Sequence, residues 1–268
     1  MVGRELLAGL LDLLYPGTAS CVWCGRDLRH IRGSLCSACL GSLTYVEGQR
    51  CPRCGRLGPP CGPGTTCAGA HVYAGVYGAA PYVGLTRAAI IAFKYGGDRS
   101  LSVPLGRMLQ TALARAGLDG LELVVPVPLH PQRQRGRGFN QAELLGLQVS
   151  AATGLPLQRA LCRTGDTEPQ AGMGRSARLV NVGKAFAVAR AQVTGRTVLL
   201  VDDVYTTGAT ADACAKTLLA AGARSVHTLV VAVAPRQTTL DDLILLSLRG
   251  HPTGWDPRLG YPQAETHK

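Results

Sequence analysis

The chain has 268 residues, enough for one large domain or two smaller ones. An apolar content of 46% supports a packed core and excludes a chain disordered throughout. Arginine supplies 24 of the 28 basic residues, which outnumber 17 acidic ones and leave a net charge of +11, so a polyanionic ligand is expected.

The first stretch, MVGRELLAGLLDLLYPG, puts Leu6, Leu7, Leu10, Leu13 and Leu14 on one stripe and reads as a short amphipathic helix. Glu5 and Asp12 interrupt its apolar run and no small-residue cleavage site follows, so it does not read as a secretory signal. Apolar runs elsewhere, such as 197–201 and 229–234, fall far short of the roughly 18 residues of a membrane helix, and no membrane span is expected.

Eight of the ten cysteines follow, between Cys21 and Cys67. A disulfide scaffold would spread them over the fold; their concentration favours a local metal site in a reducing, cytoplasmic compartment. The pairs are Cys21-x2-Cys24, Cys36-x2-Cys39 and Cys51-x2-Cys54, with Cys61 and Cys67 after them. CVWCGR and CPRCGR recur 30 residues apart, which predicts two ribbons in sequence: Cys21, Cys24, Cys36 and Cys39, then Cys51, Cys54, Cys61 and Cys67. A crossed pairing satisfies the same spacing. Thiolate pairs on tight turns favour one or two structural zinc ions over an iron–sulfur cluster. A ribbon that also contacts DNA or a partner protein is the alternative.

Strand-like and helix-like segments alternate beyond residue 71. Residues 121–129 (LELVVPVPL) read as a buried strand, 141–153 as a helix ending before Gly154, and 196–204 (RTVLLVDDV) as a strand stopped by two aspartates. Residues 209–221 read as a helix that Gly222 ends, and 225–234 as a further strand. This order predicts an α/β domain with a parallel sheet and ligands at the carboxyl ends of its strands. The division expected is 1–70 for helix and ribbons, 71–235 for the α/β domain and 236–268 for a tail of uncertain role. Residues 71–195 carry fourteen basic and six acidic residues and 196–268 seven of each, so the positive excess gathers in the first half of the α/β region. Within the tail, 240–248 (LDDLILLSL) reads as a short helix or docking segment.

Residues 198–210, VLLVDDVYTTGAT, carry the most chemistry. Amides of the loop and of the following helix N-terminus converge on one spot where the helix dipole favours an anion. Thr206, Thr207 and Thr210 add hydroxyl donors, while Gly208 lets the backbone approach the ligand closely. Asp202 and Asp203 can accept hydrogen bonds from a sugar diol. The plainer reading is two acids that cap a turn.

The segment resembles the 5-phosphoribosyl 1-diphosphate (PRPP) motif of type I phosphoribosyltransferases. The resemblance implies that Asp202 and Asp203 hold the ribose hydroxyls, that Thr206, Thr207, Gly208, Ala209 and Thr210 hold the 5′-phosphate, and that Mg²⁺ arrives with PRPP. Residues 92–101 (AFKYGGDRSL), 124–145 (VVPVPLHPQRQRGRGFNQAELL) and 167–188 (TEPQAGMGRSARLVNVGKAFAV) resemble stretches of the ComF family. That likeness runs from about residue 12 to 235. It implies a type I phosphoribosyltransferase-like parallel sheet flanked by helices, behind an N-terminal zinc ribbon. It also implies a role in the uptake of single-stranded DNA during natural transformation, with other competence proteins as possible partners. Lys94, in FKYGG, resembles a lysine–glycine element near the substrate pocket of some phosphoribosyltransferases and is grouped with the arginines that follow as a candidate for pyrophosphate or DNA.

The resemblance to phosphoribosyltransferases, whose strand end here binds pyrophosphate, implies that Arg133, Arg135 and Arg137, with Gly136 and Gly138 as hinges, form a loop closing over the leaving group. The rival is a loop gripping a phosphodiester backbone while Phe139 stacks on a base; the bland reading is a solvated basic loop. Arg163, Gln170, Arg175, Arg178 and Asn181 read as a loop or hood near the pocket. His30, His71 and His227 read as surface or structural residues, and Cys162 and Cys214 as packing residues. No nucleobase pocket is legible. Three functions remain in view: a PRPP-binding competence factor, an active transferase on an unidentified small acceptor, and a zinc-stapled interaction module with a relic pocket.

Overall fold

The computed structural model describes residues 20–28, 33–62, 67, 71–163, 186–188 and 193–235. The N-terminal helix expected over the first residues, the polar stretch holding Gln170, Arg175, Arg178 and Asn181, His30 and the tail after 235 lie outside them.

A short helix α1 (Ser37–Gly41) lies in the cysteine-rich segment. The α/β region then runs β1 (Gly75–Pro81), α2 (Gly84–Tyr95), a 3-10 turn (Arg99–Leu101), α3 (Ser102–Ala116), β2 (Leu123–Pro126), α4 (Pro131–Arg137) and α5 (Gln141–Thr153). It continues with β3 (Leu161–Arg163), β4 (Phe186–Val188), β5 (Thr197–Tyr205), α6 (Ala209–Ala220) and β6 (Ser225–Val233). Four parallel strands form the sheet in the order β1-β6-β5-β2, and β3 and β4 pair antiparallel beside it.

The unbroken apolar run of β5 fits a central parallel strand buried on both faces. Leu199 and Val201 enter one core with Val124, Leu229 and Val231 and with Ile90, Phe93, Leu105 and Leu145 of the helices α2, α3 and α5. Val198 and Leu200 enter a second core with Val125, Val226 and Val230 and with Cys214 and Leu218 of α6. The two cysteine groups divide between these cores. Cys21, Cys36 and Cys39 pack into the first with Trp23 and Leu35, whereas Cys51, Cys54 and Cys67 pack into the second with Tyr73, Val76 and Tyr205.

Two local expectations differ. The strand read over 121–129 is assigned only at Leu123–Pro126, because Pro126 and Pro128 bring no N–H to a ladder; the Val127 amide still donates to the Val201 carbonyl at 3.0 Å. The arginine segment is a helix, not a loop. Pro131 sits in its first turn, the His130 side chain accepts from the Gln132 amide, and Gly138 closes it at φ +74°. Long unbranched Gln and Arg side chains favour helix strongly enough to carry Gly136 along, so that residue is a helix position and not a hinge. No helix among the described residues is long and apolar enough to cross a membrane.

Candidate phosphate-binding site and metal centres

The strand alternation that sends Leu200 and Val201 to opposite cores continues through the acid pair. Asp202 therefore falls on the α6 face and Asp203 on the α2 face. Asp202 is half-buried and lines a small cavity of about 20 Å³ together with Val127, Tyr205, Gly208 and Thr228. Burial pushes its carboxyl up to about 7, the adjacent Asp203 charge adds to the rise, and Lys94 and the Asp203 amide act against it. That amide donates to Asp202 Oδ1 at 2.8 Å. Thr228 Oγ1, in a residue 1% exposed, has no hydrogen-bond partner among the described residues and borders the same cavity.

Asp203 is 7% exposed and pairs with Lys94 Nζ at 2.7 Å. Lys94 belongs to the last turn of α2, where the helix dipole favours a cation. The structure thus brings Lys94 to the acid pair.

Past Tyr205 the chain turns through exposed Thr206 and Thr207 to Gly208, which caps α6 at φ +86°. A side chain there meets two obstacles: the left-handed backbone, and the hydroxyls of Tyr205 and Tyr73, the latter 3.0 Å from a built Cβ. Ala209 and Thr210 open α6 at the end of β5, and the Ala209 amide donates to Thr207 Oγ1 at 3.4 Å. Beneath the loop, the Tyr73 and Tyr205 hydroxyls meet at 2.6 Å. Burial raises both phenols, Tyr205 to about 12 and Tyr73 further, so both stay neutral at physiological pH.

Pro126 of β2 pairs with Val201, so the chain leading into α4 leaves the sheet beside the acids. Arg133 and Arg135 of α4 are exposed. The Arg137 guanidinium lies 4.8 Å from the centre of the Tyr95 ring, and Tyr95 is 72% exposed. Phe139 does not stand ready for a base: it is 7% exposed, packs on Phe93 at 5.6 Å and lies under Arg99 at 4.9 Å. Its apolar ring next to α5 finds more to bury against in the first core than in solvent. A larger cavity, about 430 Å³, opens on the far side of the β2 end between Pro126, Pro128, Gln134, Asn140 and Arg163. Burial, and then the charge of Arg133, disfavour the protonated form of Arg163, which lines that cavity.

The cysteines resolve into two tetrads in sequence order, Cys21, Cys24, Cys36 and Cys39, then Cys51, Cys54, Cys61 and Cys67; within each the sulfurs lie within 4.8 Å of one another. The crossed pairing is not formed. Sulfur separations of 3.5 Å (Cys54–Cys61) and 3.7 Å (Cys24–Cys36, Cys51–Cys67) approach the roughly 3.8 Å that a tetrahedral ion with 2.3 Å bonds requires. Burial opposes ionisation of Cys21, yet the backbone amides of Cys24, Cys36 and Trp23 outweigh it and bring the thiol down to about 7. Amides of Cys61, Cys54 and Arg53 bring Cys51 down to about 6 against the same opposition. Buried sulfurs with amide donors suit zinc.

Sequence reasoning missed Arg56. Its side chain leaves the second knuckle and donates from Nε to the Ala234 carbonyl (2.9 Å) and from Nη2 to the Thr206 carbonyl (2.6 Å). The available signal was the repeat itself, which sets Arg26 and Arg56 at the same place after each CxxCG turn.

A parallel sheet flanked by helices, with an acid pair and a phosphate-type loop after a central strand, and two thiolate tetrads ahead of it, defines a type I phosphoribosyltransferase-like protein with an N-terminal zinc ribbon. Residues 10–70 match the double zinc ribbon domain and 157–249 the phosphoribosyl transferase domain. Competence protein F of Haemophilus influenzae is 30% identical over 226 residues, covering 77% of this chain and 93% of its own length. DNA utilization protein YhgH of Escherichia coli K12 is 30% identical over 224 residues, covering 80% and 96%. Competence protein ComFC of Bacillus subtilis is 27% identical over 201 residues, covering 70% and 79%. The chain belongs to the competence protein F (ComF) family.

Proposed function

We propose that this chain binds PRPP with its Mg²⁺ at the carboxyl end of β5 and acts in the handling of single-stranded DNA during natural transformation. The observation that carries the PRPP reading is the acid pair beside a left-handed glycine at the α6 N-terminus. Asp202 and Asp203 accept hydrogen bonds from the ribose diol, and residues 206–210 hold the 5′-phosphate with amides and hydroxyls. Lys94, paired with Asp203 at 2.7 Å, holds that carboxylate in place until the sugar arrives. Mg²⁺ comes as part of the substrate complex and offsets the diphosphate charge. The two tetrads hold two structural zinc ions. On this reading residues 1–70, 71–235 and 236–268 are the ribbon unit, the PRPP-binding domain and an appended tail.

Calorimetry with PRPP and Mg²⁺ tests the site on wild type and on Asp202→Asn/Asp203→Asn. Saturable binding in wild type and a loss of at least tenfold in the variant are expected, because the diol loses both anionic acceptors. Equal affinity in the two proteins overturns the assignment.

The DNA half draws on relatives named for competence and DNA utilization, and on exposed Tyr95 beside Arg137, with exposed Arg133 and Arg135 on the same short helix. Cations interleaved with an exposed ring suit a single strand, whose phosphates and bases offer complementary partners. The same arginines suit diphosphate. Transfer to a small acceptor is the alternative use of the site: the bond from C1 to the diphosphate oxygen breaks, diphosphate leaves with Mg²⁺, and the acceptor bonds to C1.

A further inference from the structure

The CxxCG repeat places an arginine after each knuckle, and the two arginines have different fates. In both, the backbone closes the turn: the Cys21 amide donates to the Arg26 carbonyl (2.7 Å) and the Cys51 amide to the Arg56 carbonyl (2.9 Å). The Arg26 side chain is exposed. That of Arg56 is buried, at 9% exposure, and its fork joins the carbonyls of Thr206 and Ala234, 150 and 178 residues away. Knuckle geometry alone does not require this, since Arg26 does without it.

We propose that the second tetrad, through Arg56, sets the conformation of the phosphate loop, and that Arg56 is a positioning residue for the anion bound there. Three tethers run from the second ribbon and the segment after it to the loop and helix. Arg56 holds Thr206, the Tyr73 hydroxyl holds that of Tyr205 beneath Gly208, and the Val72 amide donates to Asp212 Oδ1 in the first turn of α6 at 3.0 Å. Tyr73 and Tyr205 share one core with Cys51, Cys54 and Cys67. The knuckle cannot drift from β1 without losing close contact: Gly55, at φ +66°, lies so near that a Cβ would come within 2.8 Å of the Val76 carbonyl. Four sulfurs on one ion fix the turn whose backbone carries Arg56, and the planar guanidinium passes that constraint to two strand ends at once. It also sets a permanent positive charge behind the first residue of an anion-binding loop. The first tetrad belongs to the other core.

The inference rests on the anion-binding reading only for its ligand, so the primary readout needs none. Hydrogen exchange across 205–212 is followed in the full chain for wild type, Arg56→Ala, Arg56→Lys, Cys67→Ser and Cys39→Ser, with zinc content measured for each. Exchange at 205–212 is expected to rise in Arg56→Ala and Cys67→Ser and to stay unchanged in Cys39→Ser. Arg56→Ala should retain its zinc and its protection at 198–201, and Arg56→Lys, with one ammonium for two carbonyls, should fall between. Wild-type exchange at 205–212 in Arg56→Ala overturns the proposal, as does an equal rise in Cys39→Ser. With Mg²⁺·PRPP added, wild type should hold zinc in the second tetrad about tenfold more tightly at equilibrium against a competing chelator, and Arg56→Ala should lose that gain, because linkage is reciprocal. If wild type binds no PRPP while exchange responds as expected, the PRPP reading fails and the positioning role stands.

Discussion

Asp202 meets its expected ligand while poised near neutrality. Its folded carboxyl titrates at about 7 against 3.8 for an unperturbed one, so between those values the folded chain keeps a proton that the unfolded chain has lost. That contribution to stability is complete at low pH and fades as pH rises toward 7. Binding runs the other way, since a diol donates to the ionised form. PRPP affinity is therefore expected to weaken as pH falls from 8 to 6, with proton release at pH 6 that Asp202→Asn removes. Calorimetry in two buffers of different ionisation enthalpy reads this directly, and the variant separates Asp202 from the phosphate's own titration. Wild type and Asp202→Asn with the same pH dependence would exclude Asp202 as the titrating group. Asp203, on the other face of the strand, pairs with Lys94 Nζ at 2.7 Å.

At the scale of the element, the junction of β2, α4 and α5 turns on Asn140. Its Oδ1 accepts from the Ala142 amide (3.1 Å) to cap α5, and its Nδ2 donates to the Val127 carbonyl (3.0 Å) at the β2 end. Asn140→Ala should cost about 1–2 kcal/mol in urea unfolding, one cap plus one side-chain bond, and Asn140→Asp about half of that because it keeps the cap. Equal losses would mean that the cap contributes nothing and the Val127 bond carries the whole effect. The α5 helix was legible because a run of helix formers stops at Gly154. The β5–loop–α6 unit was legible because its acids, hydroxyls and glycine sit within thirteen consecutive residues. The helix α4 was not: two glycines among arginines read as hinges, and a proline in the first turn outweighed them. Phe139 misled for a related reason, since sequence shows a ring beside cations and not which side of the ring the core takes. Arg56 and Tyr73 escaped altogether, because the bonds that define them join residues far apart in the chain, and local pattern carries no trace of such partners.

For the whole molecule, the +11 charge gains a location. Arg133 and Arg135 stand in solvent, Arg137 lies over Tyr95, and Arg99 reaches back to the Gly138 carbonyl at 3.0 Å, so one edge of the sheet's carboxyl end is basic with an exposed ring among the charges. If this edge carries single-stranded DNA, its charges and its ring should fail in distinguishable ways. Replacing Arg133, Arg135 and Arg137 by Gln should lower the slope of log affinity against log salt by about 2, at ~0.7 per phosphate contact on a single strand. Tyr95→Ala should leave that slope alone and weaken binding by about 1–3 kcal/mol at every salt concentration, as the loss of one stacked base requires. Fluorescence anisotropy with an oligothymidylate, titrated at several salt concentrations, reads both. An unchanged slope in the triple variant would take α4 out of the DNA surface. If the triple variant then also lost PRPP affinity, its arginines would belong to the diphosphate instead, and the positive charge of this face would serve the small ligand alone.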